Sequence, residues 1–232
     1  MSRSVVQRGV ERCRECQLPA RWCICAGFHA VDCPIQIDVL THRRELGRPT
    51  STGRLIQRVM TGSKGHVHGH DARLSREDVA RPNRTLWILH PAGELPPAGV
   101  DPDTLQVLLL DGSWPEAGRM RRSVESWGQL IRLPADLPPS RYGLRRQPAP
   151  GMYATIEALG ILLEVLGQGE AATRLRIQFE LHVYAGLRSR GAAHEAAEFL
   201  AGSLLPETMP DCLRTLTERR RCGPDPRGSD TA

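Results

Sequence analysis

Lysine is almost absent from this chain. Lys64 stands alone among 31 lysine and arginine residues. Aromatic residues are scarce at 4%, so alanine, leucine, valine and isoleucine must fill the core. No apolar run reaches membrane-spanning length, and the N-terminal segment lacks an apolar signal core. These gaps point away from a membrane or exported protein and toward the cytoplasm. There, seven cysteines read as metal ligands or free thiols and not as disulfides. Internal repeats are also missing, which argues against a solenoid.

What remains suits an enzyme-sized α/β domain. At 232 residues and 40% hydrophobic content, the prior is one domain with a small appendage. A net charge of +5 and a pI near 9.0 lean mildly toward a polyanionic partner. The dominance of arginine over lysine suits bidentate phosphate contacts.

The most informative stretch is Leu105 to Ala117. An apolar run, Leu105 to Leu110, reads as a buried parallel strand. It stops at the turn pair Asp111-Gly112. A helix starts at once, with Ser113 as N-cap, Pro115 in the first turn and Glu116 completing a capping box. Asp111, Ser113 and Trp114 therefore sit at the carboxyl end of a strand, where open α/β sheets bind ligands. Capping explains Ser113 and Glu116 but leaves Trp114 unexplained, so a plain strand-turn-helix and a ligand site stand level on this stretch alone.

Ahead of it, Cys13-x2-Cys16 and Cys23-x-Cys25 place a tight thiol pair at each end of a 13-residue segment. Four such thiols can close round one tetrahedral Zn²⁺, which would supply the folding energy of a piece with almost no core. Cys33 is spare and packs in the core; His29 is a weaker substitute ligand. Residues 1–33 form this knuckle segment, 34–222 the main domain, and 223–232 a disordered tail. Pro34 to Leu40 reads as the first strand. It leads through Thr41-His42-Arg43-Arg44-Glu45 and Arg48-Pro49-Thr50-Ser51-Thr52-Gly53-Arg54 into a helix, a polar, basic loop suited to an anion or to ordinary capping with a solvated charged face. His66, His68 and His70 alternate among glycines; on a strand they would share one side and could bind a metal, but the glycines favour a solvated loop. Leu86 to Leu89 is a strand ending at His90-Pro91, and Gln129 to Leu133 is another. The irregular, proline-rich stretch from Pro134 to Gly151 carries Arg141, Tyr142, Arg145 and Arg146. It reads either as a base-stacking, phosphate-gripping loop or as a solvated one. Helices follow over Ala154–Leu166, Glu170–Arg190, Ala192–Leu200 and Glu207–Arg221. Glu157, in an apolar setting, needs a partner.

The combination resembles the DTW-domain family of tRNA-uridine aminocarboxypropyltransferases. The resemblance rests on the Cys13/Cys16/Cys23/Cys25 knuckle; Thr41-His42 with Ser51-Thr52-Gly53-Arg54-Leu55; His90-Pro91; Asp111-Gly112-Ser113-Trp114; and Tyr142-x-Leu144-Arg145 with Thr155-Ile156-Glu157-Ala158. Two departures occur. The family's Asp-x-Thr-Trp is Asp-x-Ser-Trp here, and the small hydroxyl residue usual before Thr155 is Ala154. The resemblance implies a SPOUT-like parallel sheet with a trefoil knot, a structural zinc and S-adenosylmethionine as substrate. It implies transfer of the 3-amino-3-carboxypropyl group to N3 of a tRNA uridine with release of methylthioadenosine.

Under that reading Asp111 is the base. His90, Pro91, Gly112, Ser113, Trp114, Leu133, Met152, Thr155 and Glu157 surround the cofactor, with Trp114 as a wall and Glu157 as acceptor for its ammonium. Arg54, Arg141 or Arg145 grips its carboxylate. Arg43, Arg44, Arg54, Arg141, Arg145 and Arg146 meet tRNA. No membrane is involved, and monomer and homodimer are equally compatible. Two rivals remain open: a SPOUT-type RNA methyltransferase, and a non-catalytic zinc-knuckle RNA-binding protein.

Overall fold

A computed structural model describes residues 10–69, 74–145, 149 and 151–218. Five parallel strands form one sheet: β1 (Gln36–His42), β2 (Lys64–His68), β3 (Thr85–Glu94), β4 (Leu105–Asp111) and β5 (Gln129–Ile131), in the order β2-β1-β4-β3-β5. β4 occupies the centre and all seven of its residues are buried. Its lack of polar alternation follows from helices covering both faces. Val107 and Leu109 join the larger core, whereas Leu108 and Leu110 join a smaller one on the opposite face.

The larger core takes apolar side chains from α1 (Thr52–Val59), α4 (Thr155–Val165) and α5 (Gly169–Ser189). It also receives Ala196 of α6 (Ala193–Ala201), Leu205 of α7 (Leu205–Thr208) and Leu216 of α8 (Pro210–Glu218). Val79 of α2 (Arg76–Val79) and Met120 and Val124 of α3 (Trp114–Val124) cover the other face. The knuckle is tied into the larger core, which includes Cys16, Leu18, Trp22 and Ile24. No helix among the described residues is long and apolar enough to cross a membrane.

Several boundaries differ from the sequence expectation. Residues 64–68 are not a loop but the edge strand β2, paired with β1 from Asp38↔Lys64 to His42↔His68. The polar, glycine-rich pattern hid it, because an edge strand on a buried partner needs few apolar residues of its own. His66 approaches the buried Asp38 carboxylate at 3.8 Å and His68 hydrogen-bonds Ser123 at 3.1 Å; His70 lies outside the described residues. β3 does not stop at His90-Pro91 but runs on to Glu94, with a register shift against β5. A Cβ on Gly93 would come within 2.4 Å of the Leu130 backbone, so only glycine permits that contact. The last predicted helix is broken into α7 and α8 at Met209-Pro210, since proline removes a helical N–H. Arg219 to Arg221, Arg146 and the expected disordered tail lie outside the described residues.

Candidate active site

The carboxyl ends of β1 and β4 lie side by side, with Thr41 opposite Asp111. Two helix starts converge on that carboxylate through three groups. Ser51, the N-cap of α1, donates its hydroxyl to Asp111 Oδ2 at 2.9 Å. The Gly53 N–H reaches Oδ1 at 3.3 Å. Thr155, first residue of α4, donates its hydroxyl to Oδ1 at 2.8 Å. Gly53 is required by this packing, because a Cβ there would sit 2.5 Å from Asp111 Cγ and Oδ2. Burial pushes the Asp111 carboxyl above the ordinary carboxylate range, with the Thr155 and Ser51 hydroxyls pulling the other way. Such a group is a stronger proton acceptor than a solvated aspartate.

The α3 turn is built as its sequence requires. Glu116 accepts the Ser113 N–H at 2.9 Å and the Ser113 hydroxyl at 2.7 Å, and His42 Nδ1 lies 3.3 Å away. A Cβ on Gly112 would press on Glu116 Cβ at 3.0 Å and Met120 Cε at 3.1 Å. The turn therefore runs tight against its own helix and leaves Trp114 facing outward into a cleft.

Two clefts meet at this turn. The larger, about 300 Å³, runs along the ends of β3, β4 and β5 and is lined by His90, Pro91, Trp114, Leu133 and Arg132 among others. The smaller, about 250 Å³, holds Asp111, Arg48, Thr50, Tyr142 and Arg145. Gly112, Trp114, Tyr153 and Thr155 belong to both walls. Burial holds the His90 imidazole below its ordinary pKa, so it is neutral at pH 7, and its Nδ1 accepts the Ala92 N–H at 3.1 Å.

The charges in the smaller cleft are held from behind by Glu45, whose side chain is 1% exposed. It pairs with Arg48 and with Arg145 at 2.7 Å. Arg145 Nε also donates to Thr50 Oγ1 at 2.8 Å, and the Tyr142 hydroxyl donates to the Thr50 carbonyl. Burial pushes the Tyr142 phenol up to about 12, so it stays a donor.

Of the residues expected around a cofactor, His90, Pro91, Gly112, Trp114, Leu133 and Thr155 line the larger cleft. Ser113 lines only the smaller one. Met152 and Glu157 line neither. The Glu157 carboxylate is occupied by the Ser140 hydroxyl at 2.6 Å, the Arg141 N–H at 2.7 Å and the Ala154 N–H at 2.9 Å. It braces the start of α4, where Ala154 has no hydroxyl for its own half of the cap. Among the expected RNA contacts, Arg43 and Arg44 are exposed and Arg145 faces Asp111's cleft. Arg141 turns away to the Phe199 carbonyl and the Glu180 carboxylate. Glu45, Arg48 and Thr50 are read from the sequence only as members of the anion-suited loop after β1, and Tyr153 only as the start of the helical part; none is singled out as a site residue. Glu45 and Arg48 carry a weak signal as an i,i+3 pair, but the 100-residue step to Arg145 carries none.

At the N-terminus, the Sγ atoms of Cys13, Cys16, Cys23 and Cys25 all lie within 4.8 Å of one another. Cys13–Cys25 is 3.4 Å and Cys16–Cys23 3.8 Å. Sulfurs about 2.3 Å from a tetrahedral zinc stand about 3.8 Å apart, so the donor set fits that ion. Backbone N–H groups, that of Cys16 foremost, hold the Cys13 thiol down at about 6, while burial pushes Cys16 up to about 12. A cation among them would favour the thiolate throughout. No other group of His, Cys, Asp or Glu among the described residues comes together in this way.

No solved structure matches this chain. The family model described as DTW domain matches residues 10–185, which takes in the knuckle, the sheet and the helices that carry Ser51, Trp114 and Thr155. The chain belongs to the DTW-domain family.

Proposed function

We propose that this protein is a tRNA-uridine aminocarboxypropyltransferase, built on a SPOUT-type knotted form of its parallel sheet. The reading rests on one observation above the others. Two clefts share the wall formed by Trp114 and Thr155, and only the smaller contains a buried carboxylate. That is the arrangement needed to hold a donor and an acceptor on opposite sides of one reacting carbon.

The larger, mostly apolar cleft suits an adenosine, with Trp114 favouring a nearby positive sulfur. S-adenosylmethionine supplies an activated sulfonium, whose departing C–S electron pair returns to sulfur and leaves methylthioadenosine. Arg145, fixed by Glu45 and Thr50, is placed to take the carboxylate of the transferred group by a charge-assisted pair. Asp111 takes the N3 proton of the uracil as the N3–C bond forms, and its burial-raised pKa suits that role. Selection of the aminocarboxypropyl carbon over the methyl is a matter of alignment, set here by the Arg145 anchor. Arg43 and Arg44 provide exposed positive charge for tRNA on the same edge.

The test is nucleoside mass spectrometry of unmodified tRNA incubated with the protein and S-adenosylmethionine, with the by-product read from the same tube. Aminocarboxypropyl-uridine with methylthioadenosine is the expected pair. A methylated nucleoside with S-adenosylhomocysteine refutes the carbon choice and leaves a methyltransferase; no product and no cofactor binding refutes the enzyme. Asp111→Asn should bind cofactor yet lose turnover by about 10²–10⁴-fold. In the wild type, activity should rise with pH through a limb above the ordinary aspartate value near 4, because the base works only when deprotonated.

A further inference from the structure

A third, narrow cavity lies behind the reaction centre, between the knuckle and α1. Gln17 and Phe28 of the knuckle, Arg54 and Arg58 of α1, Ser51, and His182 of α5 face it. Two nitrogen atoms on its lining are buried without a hydrogen-bond partner: His182 Nε2 and Arg58 Nη1. Buried polar atoms are ordinarily satisfied, so a pair of orphans on one cavity needs an account. His182 is only 3% exposed, and burial holds its imidazole down at about 4, leaving a neutral ring. The Arg58 guanidinium is pinned 3.7 Å above the Phe28 ring, which fixes it without using its N–H groups. Arg54 makes no ion pair among the described residues. The one hydroxyl nearby, that of Ser51, donates to Asp111 and already accepts the Arg54 backbone N–H at 3.3 Å. Glu15 is the one carboxylate residue on the lining, against the arginines Arg48, Arg54 and Arg58, and no ion pair ties Glu15 to Arg54 or Arg58 among the described residues.

We propose that this cavity is a phosphate subsite, in which Arg54, Arg58 and His182 receive an oxygen of an RNA backbone phosphate. This deepens the reading of the protein as a tRNA-modifying enzyme and rests on it. The interior admits little more than a water-sized group, which matches one phosphate oxygen entering while the rest of the group stays at the rim. Ser51 links the subsite to the chemistry, since its residue lines the cavity while its hydroxyl holds Asp111 at 2.9 Å. A phosphate seated there belongs to a nucleotide next to the reacting uridine. The knuckle gains a second role, because Gln17 and Phe28 close a site that α1 alone would leave open.

The experiment is a titration of the zinc-loaded full chain, labelled with ¹⁵N-histidine, with inorganic phosphate at constant ionic strength. The His182 resonance is identified from its loss in His182→Gln. A saturable shift of the His182 ring signal is expected with phosphate and not with chloride. The affinity should fall at least tenfold in Arg58→Gln and in Arg54→Gln. On tRNA, Arg58→Gln should flatten the log K against log salt slope by about 0.7, the loss of one single-strand contact. No saturable shift, or the same shift with chloride, means a cavity filled by water only and overturns the proposal. A phosphate shift with an unchanged tRNA salt slope overturns its assignment to RNA. The two readings fail separately: transfer activity without the phosphate shift removes this subsite alone, and the shift with the altered slope but no transfer removes the reaction alone.

Discussion

Gly53→Ala puts the central packing claim under the sharpest strain, because the usual rule predicts the opposite sign. Gly53 is the second residue of α1, and in a helix alanine is favoured over glycine by about 0.5–1 kcal/mol. Here the added methyl carbon would stand 2.5 Å from both Cγ and Oδ2 of Asp111. Neither α1 nor the carboxylate can yield cheaply, since the side chain is gripped on three sides by Ser51, Gly53 and Thr155. Overpacking of this kind costs about 1–3 kcal/mol. Displacing the carboxylate would also break at least one hydrogen bond to a charged group, about 1.5–3 kcal/mol. The balance is a destabilisation of about 2–5 kcal/mol. For a chain of this length that corresponds to a fall in melting temperature of roughly 4–20 °C. Turnover should drop about 10²-fold even in the folded fraction, because the carboxylate proposed as the base is shifted by an appreciable part of an ångström. Calorimetry and single-turnover nucleoside analysis below the melting transition measure the two effects. A variant that melts at or above the wild type refutes the packing of Asp111 on α1. One that melts low but transfers at the wild-type rate refutes Asp111 as the base.

Two other perturbations follow from groups away from that carboxylate. Removing zinc with a chelator, or breaking the donor set with Cys16→Ser, should abolish a one-equivalent zinc content and lower the melting temperature by roughly 10 °C, the shift for a ligand held about 10³-fold above its Kd; an unchanged melt would show that the four thiols are not a metal site. Burial pushes the Asp38 carboxyl up, but His66, Arg81 and the Lys64 N–H outweigh it and hold the group at about 2. A carboxylate depressed in this way stabilises the fold above its unfolded value near 3.8 and loses that contribution as pH falls toward 2. Acid unfolding should therefore weaken the wild type by about 2 kcal/mol across that window, a segment missing from Asp38→Asn; parallel curves for the two proteins would rule the pairing out.

What was legible in the chain, and what was not, divides along a physical line. β4, the Ser113 cap with its Glu116 partner, and the paired thiols are local patterns, and each is present as read. β2 was illegible because strand periodicity in Lys64–His68 is carried by histidine and glycine, and pairing with β1 is a tertiary fact. Glu157 shows the same division from the other side. Its need for a partner could be read from an apolar helix, but its partners Ser140 and Arg141 come from a proline-rich loop with no periodicity to place it. The sequence placed Asp111 at a strand end; it did not say that Ser51, 60 residues earlier, and Thr155, 44 later, would close on it. Closure of that kind is what parallel topology supplies. Every strand of this sheet points the same way, so residues that follow different strands are delivered to one edge whatever their separation in the chain. Glu45 follows β1, Trp114 follows β4 and Leu133 follows β5, and each lines or braces a cleft on that edge. A family motif broken into short pieces at large spacings is therefore what such a site looks like when written along a chain. The spacings record the lengths of the crossovers, and the pieces record which strand ends the chemistry uses.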